Sequence, residues 1–332
     1  MTPLVVLGAR RAIGQSLISR LVDHPWFEVV AFGDHGSTAK DDRFENVCDW
    51  RSCDPMSDRF RALPHRTGDA EALAGLTGPG CLVLSVLQDG RSAETDRACR
   101  AAGARVVTHA EDLRLHPNVP LVIPELMTAP LSTDLVATPN CTTVLLALAL
   151  HAVRSLAEIE AVTVTCLQAV SGADLPGPSA LDMLDNLFPH LRGEEAALER
   201  EMSRLFGDAF PVSAHAVRVP VRVGHTLLVS LKLSQRVDEQ DLRDAWHNYE
   251  VPIALRTLPS IVERPIRVAD AADRPCPEPD AHAADGMAIS VGALRSCPVL
   301  DWRFVVTGNN MVRGSAGMSL LTGEWMTACG SD

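Results

Sequence analysis

The chain has 332 residues, of which 46% are hydrophobic and 22% charged, and its formal net charge is −12. This length predicts two folded domains, because single hydrophobic cores stop growing at roughly 250–300 residues. The negative charge disfavours nucleic acids and anionic membranes as the main partners.

Nine cysteines are scattered along the chain, and none forms a paired Cys-x-x-Cys motif. Their spacing predicts neither a disulfide framework nor a metal site. The apolar run Pro3–Leu7 precedes the first arginines, the reverse of a signal peptide, and no run approaches the roughly 18–20 apolar residues of a membrane span. We therefore expect a cytoplasmic protein that binds no membrane.

The chain opens with the order strand, glycine-containing turn, helix and strand. Leu4–Leu7 is predicted to be a strand, Gly8–Gly14 (GARRAIG) the turn, and Gln15–Asp23 and Phe27–Phe32 the helix and second strand. This order is typical of a dinucleotide-binding unit, whose helix N-terminus holds the pyrophosphate. Arg11 replaces the middle glycine of the usual motif, so it alters the backbone approach to phosphate or contacts the phosphate itself.

Asp34 follows the second predicted strand, 20 residues after Gly14. An acidic side chain there hydrogen-bonds the ribose 2′-hydroxyl of NAD and repels the 2′-phosphate of NADP. Two alternatives are that Asp34 is a turn residue beside Gly33 and Gly36, and that Lys40 nearby allows NADP. We expect NAD(P)H as the cofactor, with a preference for NAD.

Further strands are predicted in this part of the chain at Cys81–Leu87, Ala104–His109 and Val119–Ile123, with a helix at Ser92–Ala102. The alternation of strands and helices predicts an α/β domain with a mostly parallel, doubly wound sheet. We expect this dinucleotide-binding domain to span residues 1–138.

The segment Thr138–Thr143 (TPNCTT) leads into the apolar run Val144–Leu150. Asn and Thr are favourable helix caps, so the segment predicts a helix that begins at or beside Cys141. Unpaired amides and the helix dipole at that end stabilise a thiolate, which makes Cys141 a candidate nucleophile. The alternative is a small apolar residue at the start of a buried helix.

Long alternating strands follow and are predicted at Ala161–Val170, Ala214–Leu233, Met287–Val291 and Trp302–Thr307. A helix is predicted at Gly193–Phe206, and Ala269–Asp285 is expected to be a surface loop or arm. The pattern indicates an α+β domain with a largely antiparallel sheet, which we place at residues 139–311.

Several segments together resemble the aspartate-semialdehyde dehydrogenase family, in particular its archaeal and fungal branch. Thr138–Thr143 is similar to the family's Asn-Pro-Asn-Cys-Thr/Ser-Thr sequence, and Gln168–Ala173 (QAVSGA) to its Gln-Ala-Val-Ser-Gly-Ala strand. Arg218–Pro220 with Gly224–Thr226 matches the segment of the substrate arginine and the histidine, and the likeness continues to Asn310–Gly317.

The resemblance implies a Rossmann-type domain completed by a C-terminal helix within residues 312–332, and a catalytic and dimerisation domain. It implies an NAD(P)-dependent oxidoreductase that acts on an aldehyde/acyl-phosphate pair through a cysteine thioester. The expected substrate is a carboxylate-bearing semialdehyde or activated acid, and the expected assembly is a homodimer or homotetramer.

The resemblance also assigns catalytic roles. Cys141 is the expected nucleophile, His225 the general acid/base and Gln168 a residue that orients the adduct, with Asn140 beside the nucleophile. A thiolate forms the thioester, and a histidine suits proton exchange near pH 7. On a regular strand Arg218 and His225 would face opposite sides, and the proline and glycine between them are expected to break that register.

Binding roles follow from the same resemblance. Arg218 is expected to bind the substrate carboxylate through its planar fork, Glu194 the amino group and Arg114 the phosphate. The residues expected to contact the cofactor are Gly8, Arg10, Arg11, Ile13, Gly14, Asp34, Ser171, Gly172 and Asn310.

Three positions depart from the family pattern. Ala197 stands where the family has a phosphate-binding lysine, Glu111 falls in the segment before Arg114, and Asp174 replaces a glycine. A lost cation and added anions should weaken the binding of phosphate or acyl phosphate. Two alternatives therefore remain open: a reductase of another acyl donor such as an acyl-CoA, and a catalytically silent homologue with a structural or regulatory role.

Overall fold

The computed structural model describes residues 1–52, 54–127 and 133–329. Strands and short helices alternate in the first part of the chain. In order, they are β1 (Thr2–Leu7), α1 (Ala12–Arg20), β2 (Phe27–His35), β3 (Lys40–Arg43), α2 (Phe44–Val47), α3 (Asp58–Arg61), β4 (Pro64–Gly68), α4 (Ala70–Ala74), β5 (Leu82–Ser85), α5 (Ser92–Ala101), β6 (Arg105–Thr108), α6 (Glu111–Arg114), a 3₁₀ turn (Pro124–Leu126) and β7 (Leu135–Ala137).

The second part contains longer strands. Its elements are α7 (Cys141–Val153), β8 (Ile159–Gln168), a 3₁₀ turn (Val170–Ala173), α8 (Ala180–Met183), α9 (Glu194–Phe206), β9 (Val212–Arg218), β10 (His225–Leu233), α10 (Glu239–His247), a 3₁₀ turn (Ile253–Leu255), β11 (Ile266–Val268), α11 (Pro277–Asp280), β12 (Ile289–Ser296), β13 (Trp302–Gly308), a π-helical turn (Val312–Ala316) and α12 (Gly317–Cys329). None of the described helices has both the length and the apolar composition needed to cross a membrane.

The first compact unit comprises residues 1–138, 258–260 and 316–332. Its seven-stranded sheet has the order β3-β4-β2-β1-β5-β6-β7, and all strand pairs except β3 with β4 are parallel. β2 lies on one side of β1 and β5 on the other, so the direction in which successive strands are added to the sheet reverses at β1. Sheets of this kind bind nucleotides at the position of that reversal. The predicted doubly wound α/β fold is confirmed.

Helix α12 packs within this first unit, where Gly323 lies against Leu82. Its fully buried Glu324 accepts a hydrogen bond from the backbone N–H of Ser260 at 2.9 Å and contacts Nε2 of His24 at 2.9 Å. A buried carboxylate needs such partners, because burying an unpaired charge is costly. These contacts explain why residues 258–260 belong to this unit.

The strand predicted at Val119–Ile123 is wrong. Pro120 and Pro124 lack the N–H group that a strand ladder requires, and Leu121 makes just an isolated bridge to Ala137. The sheet instead ends with β7, which the sequence pattern did not indicate.

The second unit comprises residues 139–257 and 261–315. Its six-stranded sheet has the order β11-β12-β13-β10-β8-β9, and three of the five pairs are antiparallel. Helix α7 lies on one face, where Leu145 contacts Gly308. The largely antiparallel α+β prediction is confirmed, although the strand predicted at Ala214–Leu233 is two strands and the loop predicted at Ala269–Asp285 contains α11.

Candidate active site

Three polar residues, Gln168, Arg218 and His225, form a row at the ends of three neighbouring strands of the six-stranded sheet. β8 lies between β9, which is parallel to it, and β10, which is antiparallel. Gln168 at the end of β8 pairs with Arg218 at the end of β9, and the neighbouring pair Leu167–Thr226 places His225 at the same edge. Arg218 and His225 therefore converge because they lie on two strands that flank β8.

Gly224 ends the connection between those strands in a conformation that suits glycine, with φ +101°. An added Cβ there would lie 2.8 Å from the Cβ of Ala281. The predicted break in register before His225 is thus present.

The candidate nucleophile Cys141 is half-buried and is the first residue of α7. Asn140 caps the helix: its Oδ1 accepts a hydrogen bond from the N–H of Thr142 at 3.0 Å, and the Cys141 thiol donates to the same oxygen at 3.4 Å. Gly314 approaches so closely that an added Cβ would overlap Cys141. The thiol therefore occupies the end of a helix that favours negative charge.

Glu194, the first residue of α9, connects the cap residue to the polar row. Its Oε2 accepts hydrogen bonds from Nδ2 of Asn140 at 3.0 Å and from Nε2 of Gln168 at 2.9 Å. A carboxylate held by two amide donors is fixed in position and still has lone pairs for a substrate ammonium group.

Glu201 is a buried residue of this site that the sequence did not indicate. Its Oε2 accepts a hydrogen bond from the backbone N–H of Asn140 at 2.7 Å, and the residue is 1% exposed. In a capping box, a Glu at the third helical position makes this bond, but α7 has Thr143 there. Because Glu201 lies on another helix, no local sequence signal could identify it.

His225 is fully buried, and its ring is fixed by the backbone. Its Nδ1 accepts a hydrogen bond from the N–H of Ala169 at 3.0 Å, and the carbonyl oxygen of Ala169 accepts one from Nη1 of Arg218 at 2.8 Å. Burial, and then the positive charge of Arg218, lower the pKa of His225 to about 3. The imidazole is therefore neutral near pH 7.

Gly172 lies directly against this pair. An added Cβ would be 2.7 Å from Nη1 of Arg218 and 3.3 Å from Nε2 of His225. A residue with a side chain would therefore collide with Arg218 at this position. Burial lowers the pKa of Arg218, and the negative charges of Glu194 and Cys141 oppose that shift, so this guanidinium remains a cation.

The turn predicted to bind phosphate in the first unit is tight, and its glycines lie close to neighbouring backbone. Gly8 has φ +84°, and an added Cβ would lie 2.9 Å from the backbone of Val86. A side chain at Gly14 would overlap the Gly8 carbonyl oxygen, and α1 begins after Arg11 without a side-chain cap. A close glycine turn at the start of a helix fits a dinucleotide pyrophosphate, and Ile13 lies in the first turn of α1.

Asp34 lies within β2 and is 5% exposed, so the alternative of a turn residue is wrong. Its Oδ2 contacts Nε2 of His65 at 2.7 Å and Nε of Arg10 at 3.2 Å. The carboxylate is thus paired with a cation inside the same unit, which the strand pattern could not indicate.

The other residues predicted to bind cofactor or phosphate are divided between the two units. In the second unit, Nδ2 of Asn310 donates to Oγ of Ser171 at 2.9 Å, and its Oδ1 accepts from the N–H of Gly224 at 3.0 Å. In the first unit, buried Arg114 donates from Nη2 to the carbonyl oxygen of His109 at 3.1 Å. Their roles toward cofactor and phosphate stay predictions.

Two of the divergent positions lie near the row in the second unit. Ala197 is three residues after Glu194 and therefore on the same side of α9. Asp174 directly follows the 3₁₀ turn that contains Gly172, and its φ of 60° and ψ of −177° belong to a region otherwise occupied by glycine. Glu111 is exposed at the start of α6 in the first unit.

Comparison with known proteins gives a consistent result over nearly the whole chain. Residues 4–133 match the family described as semialdehyde dehydrogenase, NAD binding domain, and residues 150–313 match semialdehyde dehydrogenase, dimerisation domain. The aspartate-semialdehyde dehydrogenase of Archaeoglobus fulgidus is 32% identical, with 97% of this chain and 96% of that protein covered. The Cryptococcus neoformans enzyme of the same name is 31% identical, with 96% and 95% covered.

Solved structures agree with this result. The crystal structure of aspartate-semialdehyde dehydrogenase with NADP from Candida albicans has a TM-score of 0.86 and 27% identity, with 99% of each chain covered. The Vibrio cholerae aspartate-semialdehyde dehydrogenase II structure has a TM-score of 0.76 at 19% identity over 98% of each chain, which shows the shared fold.

Proposed function

Because the chain belongs to the aspartate-semialdehyde dehydrogenase family, we propose that its own substrate is aspartate semialdehyde and that the residues of the second unit divide the reaction between them. The protein is an NAD(P)-dependent oxidoreductase that acts on an aldehyde/acyl-phosphate pair through a cysteine thioester. The relatives and structures named above do not support a reductase of acyl-CoA or a silent homologue.

In the proposed sequence the Cys141 thiolate attacks the aldehyde carbon, so a C–S bond forms and the carbonyl electron pair moves to oxygen. A nicotinamide, when bound, would supply the hydride acceptor that oxidation of this adduct to the thioester requires. Phosphate then attacks the thioester carbon, and the C–S bond breaks to return the thiolate. Gln168 and Asn140 hold the sulfur and its adduct in place, and Arg114 is our candidate for the residue that binds phosphate.

The observation that carries this proposal is the row of Arg218, Gln168 and His225 beside the helix that begins with Cys141. Aspartate semialdehyde carries a carboxylate and an ammonium group, and the second unit holds Arg218 and Glu194 for them. The charge-assisted pairs would fix the aldehyde carbon relative to the nucleophile.

The test is an assay of aldehyde oxidation with NAD⁺ or NADP⁺, with phosphate and coenzyme A supplied separately. We expect turnover of aspartate semialdehyde that depends on phosphate, with weak phosphate binding because Ala197 supplies no cation. Ala197→Lys should lower the KM for phosphate by about tenfold, equivalent to ~1.4 kcal/mol. Turnover with coenzyme A alone would contradict the assignment and favour the acyl-CoA alternative.

The cofactor is NAD(P)H, and we propose a modest preference for NAD. The negative charge of Asp34 opposes a 2′-phosphate, and Arg10 offsets part of that repulsion. Asp34→Ser should therefore improve NADP binding relative to NAD by up to about tenfold, or ~1.4 kcal/mol. Titration of both dinucleotides measures this ratio, and an unchanged ratio in Asp34→Ser would refute the role of the carboxylate.

We propose a homodimer or homotetramer in which the sheet face opposite α7 forms a contact between subunits. That face bears Leu228, which is 45% exposed, and a groove of about 430 Å³ that includes Thr163, Thr165 and Ser230. Leu228→Glu should shift the mass measured by light scattering toward the monomer, because it buries a charge at the contact. Ile253→Glu, at a residue 79% exposed elsewhere, is the matched control; an unaltered mass in Leu228→Glu would exclude this face.

A further inference from the structure

The residue that caps the nucleophile helix is held by two carboxyl groups from one other helix. Oε2 of Glu194 accepts a hydrogen bond from Nδ2 of Asn140 at 3.0 Å, and Oε2 of Glu201 accepts one from the backbone N–H of Asn140 at 2.7 Å. Both acids belong to α9 and are seven residues apart (201 − 194 = 7). Seven residues are close to two helical turns, so both side chains leave the same face of α9 and reach Asn140 together.

Glu201 is buried in surroundings that would suit an apolar side chain. It is 1% exposed, and its neighbours on α9, Leu198 and Met202, are 1% and 0% exposed. Burying a carboxyl group costs free energy that its hydrogen bonds must offset. An aliphatic residue would fill the position without that cost, so the hydrogen bond to Asn140 gives a reason for a Glu here.

Two other acidic residues of α9 make contacts of a different kind. Oε1 of Glu195 accepts a hydrogen bond from the N–H of Ala216 at 3.1 Å, and Oε1 of Glu199 accepts one from the N–H of Ala214 at 2.9 Å. Both amides belong to β9, which lies at the end of the strand order of its sheet. These bonds satisfy N–H groups of an edge strand, so both acids attach α9 to the sheet and not to the nucleophile segment.

The position of Asn140 determines that of the nucleophile, which is the next residue in the chain. Oδ1 of Asn140 accepts hydrogen bonds from the N–H of Thr142 at 3.0 Å and from the Cys141 thiol at 3.4 Å. A shift of the Asn140 backbone would therefore move the cap, the first turn of α7 and the sulfur together. Misplacing a reacting group by about 1 Å can cost about 10²-fold in rate.

We propose that Glu201 is a positioning residue for the nucleophile: it fixes the Asn140 backbone and so keeps the sulfur of Cys141 where it can attack the substrate carbon. Glu194 holds the side chain of the same Asn140 and is also our candidate for the residue that binds the substrate ammonium group. One face of α9 thus aligns the sulfur with the bound substrate. The inference rests on the proposed function, since it needs a carbonyl compound that reacts at Cys141.

The test compares the kinetics of Glu201→Ala and Glu201→Gln in the full-length protein. Alanine removes the acceptor, so kcat should fall by about 10²-fold, whereas KM for aspartate semialdehyde should change little because Arg218 and Glu194 remain. Glutamine retains an oxygen that accepts the same bond, so Glu201→Gln should recover at least about tenfold of that loss. Wild-type kcat in Glu201→Ala, or a kcat equally low in Glu201→Gln, would overturn the proposal.

Glu199→Ala is the matched control, because it removes the same side chain from the same helix and also loses a bond to a backbone N–H. Its kcat should not change, since Glu195 still attaches α9 to β9. A loss of kcat as large as in Glu201→Ala would show that a loosened helix explains both results and would refute the positioning role. If Glu201→Ala does not fold, Glu201→Asp replaces it: the shorter side chain withdraws the oxygen from the Asn140 N–H, so a wild-type kcat there would refute the role equally.

Hydrogen exchange, followed by mass spectrometry, separates this inference from the proposed function. The peptide that contains Asn140 and Thr142 should exchange its amide hydrogens faster in Glu201→Ala than in the wild type, and at the wild-type rate in Glu201→Gln and Glu199→Ala. This measurement needs no substrate. Unchanged exchange in Glu201→Ala would overturn the positioning role while the activity stands, whereas absence of turnover in the wild type would refute the proposed function itself.

Discussion

Cys141→Ala is expected to reduce turnover by roughly 10⁴-fold or more, the scale of removing a covalent nucleophile. Without sulfur no thioester forms, and water or phosphate must attack an unactivated aldehyde. The loss should appear in kcat, because Arg218 and Glu194 remain to bind the substrate. Steady-state assays of aldehyde oxidation, with binding measured separately, resolve the two effects.

Cys297→Ala is the matched control. Hydrogen bonds from the backbone N–H groups of Leu300 and Val299 lower the pKa of Cys297, whereas burial raises the pKa of Cys48 and Cys99 to about 12. Cys297 is thus a cysteine whose surroundings favour the thiolate, and its removal should leave turnover unchanged. Full activity in Cys141→Ala, or loss of activity in Cys297→Ala alone, would contradict the assignment.

Arg218→Leu is expected to lower kcat/KM by about 10²-fold, since hydrogen bonds between charged groups contribute about 1.5–3 kcal/mol each in the buried site. KM should rise because the carboxylate loses its partner, and kcat should fall because the carbon under attack is displaced. Arg218→Lys should recover just part of the loss, since a point charge lacks the planar fork.

Arg243→Leu, in α10 beside Glu239, makes the same change on the surface of the second unit and should leave both constants unaltered. Wild-type kinetics in Arg218→Leu would exclude the carboxylate role. A fall in kcat with KM unchanged would assign Arg218 to the transition state alone.

Local patterns in the sequence predicted the parts of this protein that depend on local physics. The cap at Asn140 and the helix start at Cys141 follow from side-chain hydrogen bonds to adjacent amides. The alternation of strands and helices predicted the fold of the first unit, and the long alternating strands predicted that of the second. The cytoplasmic location expected from the cysteines stays a prediction; among the cysteines that the structure describes, none forms a disulfide.

Contacts between distant segments could not be predicted in this way. Glu201 reaches the Asn140 backbone from another helix, and Asp34 is paired by Arg10 and His65. The short strand β7 is stabilised by its neighbour in the sheet, so its sequence carries little signal of its own. Each of these features depends on tertiary packing, which the hydrophobic periodicity of a sequence does not encode.

In the proposed reaction Cys141 carries the acyl group. Incubation with aspartate semialdehyde and an oxidised nicotinamide, without phosphate, should let the thioester accumulate because its acceptor is missing. Digestion and mass spectrometry should then find one β-aspartyl group on the peptide that contains Cys141, and added phosphate should remove it. An adduct on another cysteine alone, or turnover that leaves Cys141 unmodified, would contradict this account.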